Sequence, residues 1–147
     1  MNVFSHYLDN IYDPISFASA VNTAVEKITK FKARHSFNAI AFTGTSGAAI
    51  AYPLSYLLQI PLICVRKSIR DNHFGRATKS HIEGVVNSKK YIIIDDCIAS
   101  GKTIQRIRDA IKNHSIEIED KVQPKLVGIY LYNNSRLINS YDKIPLI

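Results

Sequence analysis

Residues 91–103 read YIIIDDCIASGKT, an apolar run followed by two adjacent carboxylates and a turn of small residues rich in hydrogen-bond donors. The run from Tyr91 to Ile94 does not alternate with polar residues, which is typical of a strand buried on both faces of a parallel sheet. Open α/β sheets bind ligands at the carboxyl ends of such strands. We therefore expect Asp95 and Asp96 to lie at a ligand-binding edge.

The second half of the stretch indicates an anion site. An amphipathic pattern follows residues 99–103, with Ile104, Ile107 and Ile111 on one face, so the small residues should open a helix. Free N–H groups at a helix start attract anions, and the helix dipole adds to this attraction. The neighbouring carboxylates can accept hydrogen bonds from vicinal hydroxyls and suit a hydrated divalent cation. Together these groups predict a site for a sugar phosphate.

The end of this stretch, GKT, also matches the end of the phosphate loop of nucleoside triphosphatases. The first glycine of that motif would fall at position 96, where this chain has an aspartate. A carboxylate pair would also repel a polyphosphate unless a metal stood between them. The spacing therefore argues against a nucleoside triphosphatase.

In residues 92–103 the chain resembles the type I phosphoribosyltransferase family, whose signature is an apolar strand, two acidic residues, a short loop and Thr/Ser-Gly-x-Thr/Ser. The resemblance implies that Asp95 and Asp96 hold the ribose hydroxyls of 5-phosphoribosyl-1-pyrophosphate. It also implies Mg²⁺ as cofactor, which the two aspartates would hold indirectly, through water or substrate. The 5-phosphate would be bound by Ala99, Ser100, Gly101, Lys102 and Thr103.

A second turn fits the pyrophosphate of the same substrate. Residues 43–49 read TGTSGAA and separate a strand predicted at 37–42 from a helix predicted at 48–58. Hydroxyls and free amides in such a turn can bind an anion. The family binds pyrophosphate at the corresponding loop, and we expect the contacts to come from Thr45, Ser46 and Gly47.

A basic pair ends the next predicted strand, residues 60–65. Arg66 and Lys67 resemble a pair that adenine and orotate phosphoribosyltransferases place near the pyrophosphate. The resemblance thus makes both residues candidates for substrate binding. It adds Lys67 to the two aspartates as a candidate catalytic residue.

Positive charge is concentrated around a long loop. The chain carries a formal charge of +7, and five of its cations between positions 66 and 79 are accompanied only by Asp71. Residues 68–81 show no sustained periodicity, and long loops of this kind often act as lids. In the family a flexible loop closes over the reacting centre, so we take as lid candidates Arg70, Arg76 and Lys79. A basic surface can also bind nucleic acid, but no recognised nucleic-acid-binding motif supports that interpretation.

The order of the apolar runs predicts the fold. The length of 147 residues indicates one domain. Asp13 and Pro14 start a helix that extends to about Phe31, and residues 125–132 form a last strand. Alternation of strands and helices predicts an α/β fold: an open, mainly parallel, twisted sheet of about five strands with helices on both faces. We take residues 13–132 as the core, with a small N- and C-terminal hood from 1–12 and 133–147.

The cysteines and the apolar runs indicate in which cellular compartment the protein is expected. Cys64 and Cys97 lie in or beside apolar runs and are expected to be buried free thiols of a reducing compartment. No apolar run is long enough to span a membrane, and the first residues lack the layout of a signal peptide. We therefore expect a cytoplasmic protein with no membrane partner. The resemblance adds the expectation of a homodimer.

The resemblance also implies a reaction. The protein would transfer the 5-phosphoribosyl group to a nucleobase and release pyrophosphate, as in nucleotide salvage. Ala99 stands where enzymes for 6-oxopurines place an acid, which favours an adenine-type or orotate-type acceptor. Because the hood is small, a regulatory protein that binds phosphoribosyl pyrophosphate or a nucleotide without turnover remains an alternative. Nucleic-acid binding is a weaker one.

Overall fold

The computed structural model describes residues 8–67, 81–85, 87–118, 121–134 and 137–147. Four helices and seven strands lie in these ranges. In chain order they are α1 (Asp9–Tyr12), α2 (Pro14–Lys32), β1 (Ala39–Phe42), α3 (Gly44–Leu58), β2 (Leu62–Val65), β3 (Ile82–Gly84), β4 (Lys90–Asp95), α4 (Lys102–Glu117), β5 (Lys125–Leu131), β6 (Ser140–Tyr141) and β7 (Ile144–Pro145).

Five of the strands form one sheet in the order β3-β2-β1-β4-β5. Strands β2, β1, β4 and β5 run parallel, and β3 is a short antiparallel strand at the edge. The predicted open, mainly parallel sheet of about five strands is therefore confirmed. Residues 39–42 and 91–95 are fully buried, as expected for central strands covered on both faces.

The alternation of side chains along the central strands separates two cores. Ile40 and Phe42 of β1 pack with α2 and α3 on one face. Ala39 and Ala41 pack with α4 on the other face. Helices thus cover both faces of the sheet, as predicted.

The two helices on the first face begin for different local reasons. Asp13 caps α2, because its carboxylate accepts a hydrogen bond from the Ser16 N–H at 2.8 Å, and this bond lowers the pKa of Asp13. α3 begins at Gly44 rather than at the predicted position 48. Gly44 has φ +66°, which lets the chain turn directly from β1 into the helix. The predicted binding turn is therefore the first turn of α3.

The pairing of β4 with β5 contains an irregularity. Tyr91 lies opposite Leu126, whereas the next residue, Ile92, lies opposite Gly128. β5 thus carries one extra residue, Val127, as in a β-bulge. The ring of Phe31 packs so closely over Gly128 that a Cβ there would come within 2.7 Å of it.

The C-terminal segment packs against the sheet edge. β6 and β7 form a hairpin, Leu146 bridges to Ile129 of β5, and the Ile147 N–H donates to the Ile129 carbonyl at 2.9 Å. This covers the outer edge of β5, which would otherwise present unpaired backbone groups. At the N-terminus, the structure describes the predicted hood only from residue 8 onward. Among the described residues, no helix is long and apolar enough to cross a membrane.

Candidate active site

The carboxyl ends of β1, β2 and β4 meet at one edge of the sheet and enclose a pocket of about 200 Å³. Strand β4 delivers the acid pair, and the loop that follows it forms most of the wall. The lining consists of Thr43, Ser46, Lys67, Asp95, Asp96, Cys97, Ile98, Ala99, Ser100, Gly101, Lys102, Thr103 and Ile104. The structure thus brings together both aspartates, the whole loop 99–103, Ser46 and Lys67.

The acid pair is buried at the base of this pocket. Asp95 is 4% exposed and Asp96 is 8% exposed. The Oδ1 atom of Asp95 accepts hydrogen bonds from the Ser46 hydroxyl at 3.1 Å and from the Asp96 N–H at 3.0 Å. Burial, followed by the carboxyl of Asp96, raises the pKa of Asp95 to about 7. The site therefore favours ligands that stabilise negative charge, such as hydroxyl donors or a cation.

The donor set also decides how a magnesium ion would fit. Mg²⁺ prefers oxygen ligands and is commonly held by one or two carboxylates, with water and substrate phosphates completing its shell. Asp95 and Asp96 supply two carboxylates, and the described part of the chain contains no group of three or more His, Cys, Asp or Glu that could hold a metal. The residues thus fit a magnesium ion shared with substrate, and they do not form an all-protein cage.

The loop after the acid pair has the geometry of an anion site. α4 begins at Lys102, and its first N–H groups have no acceptor within the helix. Gly101 precedes it with φ +76°, and a Cβ at this position would overlap the hydroxyl of Tyr141. A glycine is needed here for both reasons. The Ser100 hydroxyl accepts a long hydrogen bond of 3.4 Å from the Lys102 N–H.

The first turn of α3 brings one of the three predicted contact residues to the pocket. Ser46 lines the pocket. Thr45 is exposed and Gly47 is buried, and neither lines the pocket. Gly47 has a packing role, since a Cβ there would come within 2.9 Å of Phe42. The pyrophosphate contacts of Thr45, Ser46 and Gly47 all stay a prediction.

Tyr132 supports the candidate site from outside the pocket, and the sequence did not reveal this role. It follows β5, and its hydroxyl donates to the Ser46 carbonyl at 2.8 Å. Its N–H donates to the Asp95 carbonyl at 3.2 Å. Burial, with smaller contributions from the two aspartates, raises the pKa of Tyr132, so its hydroxyl remains a donor. Tyr132 therefore ties the first turn of α3 to the end of β4.

The two residues of the basic pair after β2 contact different parts of the structure. The Lys67 side chain lies over Gly44, where a Cβ would come within 3.3 Å of its Cε atom, and lines the candidate active-site pocket. Arg66 instead donates two hydrogen bonds to Glu83 of β3, at 2.9 and 3.2 Å, and lines a neighbouring pocket. The lid candidates Arg70, Arg76 and Lys79 lie outside the described residues.

Both cysteines are free, as expected, but they are only partly buried. Cys97 lines the pocket, and its Sγ atom lies 3.5 Å from Oδ2 of Asp96 as a weak donor. Burial raises the pKa of the Cys64 thiol.

Comparison with known proteins identifies the class. Adenine phosphoribosyltransferase from Saccharomyces cerevisiae has a similar fold, with a TM-score of 0.61 and 18% identity over 98% of this chain and 84% of that one. Orotate phosphoribosyltransferase from Aeropyrum pernix gives a TM-score of 0.61 and 16% identity over 89% and 66%. In sequence, adenine phosphoribosyltransferase from Agathobacter rectalis is 25% identical over 139 residues, which cover 87% of this chain and 79% of the relative.

Fold and site together define a type I phosphoribosyltransferase domain. Within that class the chain belongs to the PRTase-CE family, whose model matches residues 2–140. An orotate phosphoribosyltransferase from Fusobacterium nucleatum is 28% identical over 109 residues, and the chain spans 47% of its length. Adenine and orotate enzymes thus both occur among the relatives.

Proposed function

We propose that the protein transfers the 5-phosphoribosyl group of phosphoribosyl pyrophosphate to a nucleobase and releases pyrophosphate. The observation that carries the proposal is the single pocket in which a buried acid pair faces an anion-binding loop. The spacing suits one ligand with hydroxyls in its middle and a phosphate at one end. Family membership and the relatives named above support the same reaction.

Each group of pocket residues binds a different part of the substrate. Asp95 and Asp96 accept hydrogen bonds from the ribose hydroxyls, and residues 99–103 bind the 5-phosphate through N–H groups and hydroxyls. Ser46 and Lys67 bind the pyrophosphate at the other side of the pocket. A magnesium ion at the acid pair would neutralise charge on the departing pyrophosphate. Catalysis then rests on holding the sugar in place and on stabilising charge, with no covalent nucleophile.

A smaller pocket of about 150 Å³ beside the first suits the acceptor base. It shares Cys97, Ile98 and Ala99 with the sugar site and is completed by residues that include Asn133 and Asn134. In the described part of the chain no charged side chain lines it. Burying an unpaired anion would be costly there, so we propose neutral adenine over orotate as acceptor.

The decisive experiment incubates the protein with phosphoribosyl pyrophosphate, Mg²⁺ and single bases, and measures pyrophosphate release. We expect release that depends on adenine and on Mg²⁺. Asp95→Asn/Asp96→Asn should abolish it, whereas Glu26→Gln on the exposed side of α2 should not. Tight sugar binding without release for any base would overturn the proposal.

One observation favours the regulatory alternative. Of the described hood residues, 140–147 cover β5 and α1 packs against α2, which leaves few of them for the base pocket. A regulator would bind phosphoribosyl pyrophosphate without turnover. Binding of nucleic acid would instead be sensitive to salt and would survive Asp95→Asn/Asp96→Asn.

We further propose a homodimer, which light scattering after gel filtration would test.

A further inference from the structure

A second pocket lies between α4 and the β2–β3 edge of the sheet. It measures about 350 Å³, within the range of small-molecule sites. It shares one lining residue, Lys67, with the active-site pocket. It is therefore a separate cavity on the α4 face of the sheet, adjacent to the proposed pyrophosphate position.

The periodicity of α4 explains why this helix can line a cavity. Ile104, Ile107 and Ile111 are buried against the sheet. Arg106, Ala110 and His114 lie on the neighbouring stripe, at the spacing of successive helical turns, and line the pocket. One stripe of α4 thus packs against the sheet, and the neighbouring stripe lines the cavity.

The lining of this pocket carries more positive than negative charge. Arg66 is paired with Glu83, and Asp109, whose carboxylate accepts a hydrogen bond from Gln105, is the one anion among the lining residues. Lys67 and Arg106 have no ion pair within the described ranges. One cation thus stands at the end of β2 and the other on α4, which is an arrangement that attracts a divalent anion such as a phosphate monoester.

The rest of the lining is a mixture of apolar side chains and the polar side chains of His81, Asn113 and His114. Val65 and Ile82 are buried side chains at the pocket, and Ala110 adds a third apolar group. The Nδ1 atom of His114 is buried and has no hydrogen-bond partner in the described part of the structure. A ligand with a flat apolar body and a polar edge would cover the apolar groups and place its polar edge at the exposed side chains of His81 and Asn113.

We propose that this pocket binds a nucleoside monophosphate, with the phosphate between Lys67 and Arg106 and the base against Val65, Ile82 and Ala110. The site is distinct from the one that the proposed reaction uses. Its existence does not require turnover, although Lys67 would contact ligands in both pockets.

Isothermal titration of the full chain with AMP tests the proposal, with UMP and inorganic phosphate as further probes. Arg106→Gln should weaken one binding event by at least about 10-fold, because it removes a charge-assisted hydrogen bond. Lys112→Gln is the matched control, since Lys112 is exposed on the same helix and does not line the pocket. Thermal melting should show that both variants remain folded, because both side chains are exposed.

Asp95→Asn/Asp96→Asn separates this site from the active-site pocket. We expect the Arg106-dependent binding to persist in that double variant whether or not the protein releases pyrophosphate. Nucleotide binding that the double variant abolishes and Arg106→Gln leaves unchanged would overturn the proposal, as would no binding to the unaltered protein. If inorganic phosphate bound as tightly as AMP, the role of the apolar wall would be refuted.

Discussion

Asp95→Asn should make the ligand-free protein more stable, and increasingly so as the pH rises. The pKa of Asp95 is raised from 3.8 to about 7 in the folded state, so the folded protein holds a proton that the unfolded chain has lost. Stability falls with pH wherever the folded state binds more protons, so this group lowers stability between about pH 4 and pH 7. Asparagine cannot ionise and removes that penalty.

The size of the effect follows from the pKa. A shift of about 3 units corresponds to about 4 kcal/mol above pH 7, at 1.36 kcal/mol per unit. More than half of this penalty appears between pH 5 and pH 8, because the folded-state pKa of about 7 lies within that interval. The advantage of Asp95→Asn over the unaltered protein should therefore widen by about 2–3 kcal/mol from pH 5 to pH 8.

The measurement is urea denaturation at pH 5 and pH 8 in the presence of a chelator, which keeps divalent cations from the acid pair. Asp109→Asn serves as the control, because it makes the same substitution at a carboxylate that is exposed on α4 and lies outside the acid pair. If the gap between Asp95→Asn and the unaltered protein were equal at pH 5 and pH 8, the reasoning about the buried acid would be refuted.

Three further changes test the packing around the site. Gly101→Ala should lower the free energy of unfolding by about 1–2 kcal/mol because of the positive φ, and it should displace Tyr141. Urea denaturation should therefore show lower stability, and titration should show weaker binding of ribose 5-phosphate. Unchanged values for both would contradict the loop geometry. Tyr132→Phe removes the hydrogen bond to the Ser46 carbonyl and should weaken phosphoribosyl pyrophosphate binding about 2- to 12-fold by calorimetry, whereas an equal affinity would show that this bond does not position the turn. Ile93→Ala in the centre of β4 should lower the free energy of unfolding by about 2–5 kcal/mol, and a loss below about 1 kcal/mol would mean that β4 is not central.

The sequence predicted where those candidate site residues lie that are contiguous in the chain. β4, the acid pair and the start of α4 follow one another without a gap, so local pattern and strand-end geometry suffice to place Asp95, Asp96 and residues 99–103. The start of α3 was missed by four residues. Gly44 takes a positive φ, which lets the helix begin directly after β1. From the sequence alone, a glycine at this position is equally compatible with a longer loop before the helix.

Features that depend on distant pairing could not be predicted. Arg66 turns to Glu83 because β3 pairs antiparallel with β2, which places Cys64 opposite Glu83. Tyr132 reaches Ser46 across 86 positions of sequence, and no local pattern marks it. Both contacts are set by the register between strands, and the sequence gives no direct measure of that register.

The bulge at Val127 lets β5 carry one extra residue while the end of the strand keeps the same faces as its partner β4. Side chains alternate along a strand, and the bulge takes up the extra residue in that alternation. Leu126 before the irregularity and Ile129 after it pack on the same face, although three positions separate them. Tyr132 lies on the face of α2 and α3. Deleting Val127 would make Leu126 and Gly128 neighbours that alternate as in a regular strand, so the pairs from Ile92–Gly128 onward and the contact between Tyr132 and Ser46 would be kept. The bulge thus makes position 127 a place where the length of β5 can change by one residue while the acid pair stays tied to α3.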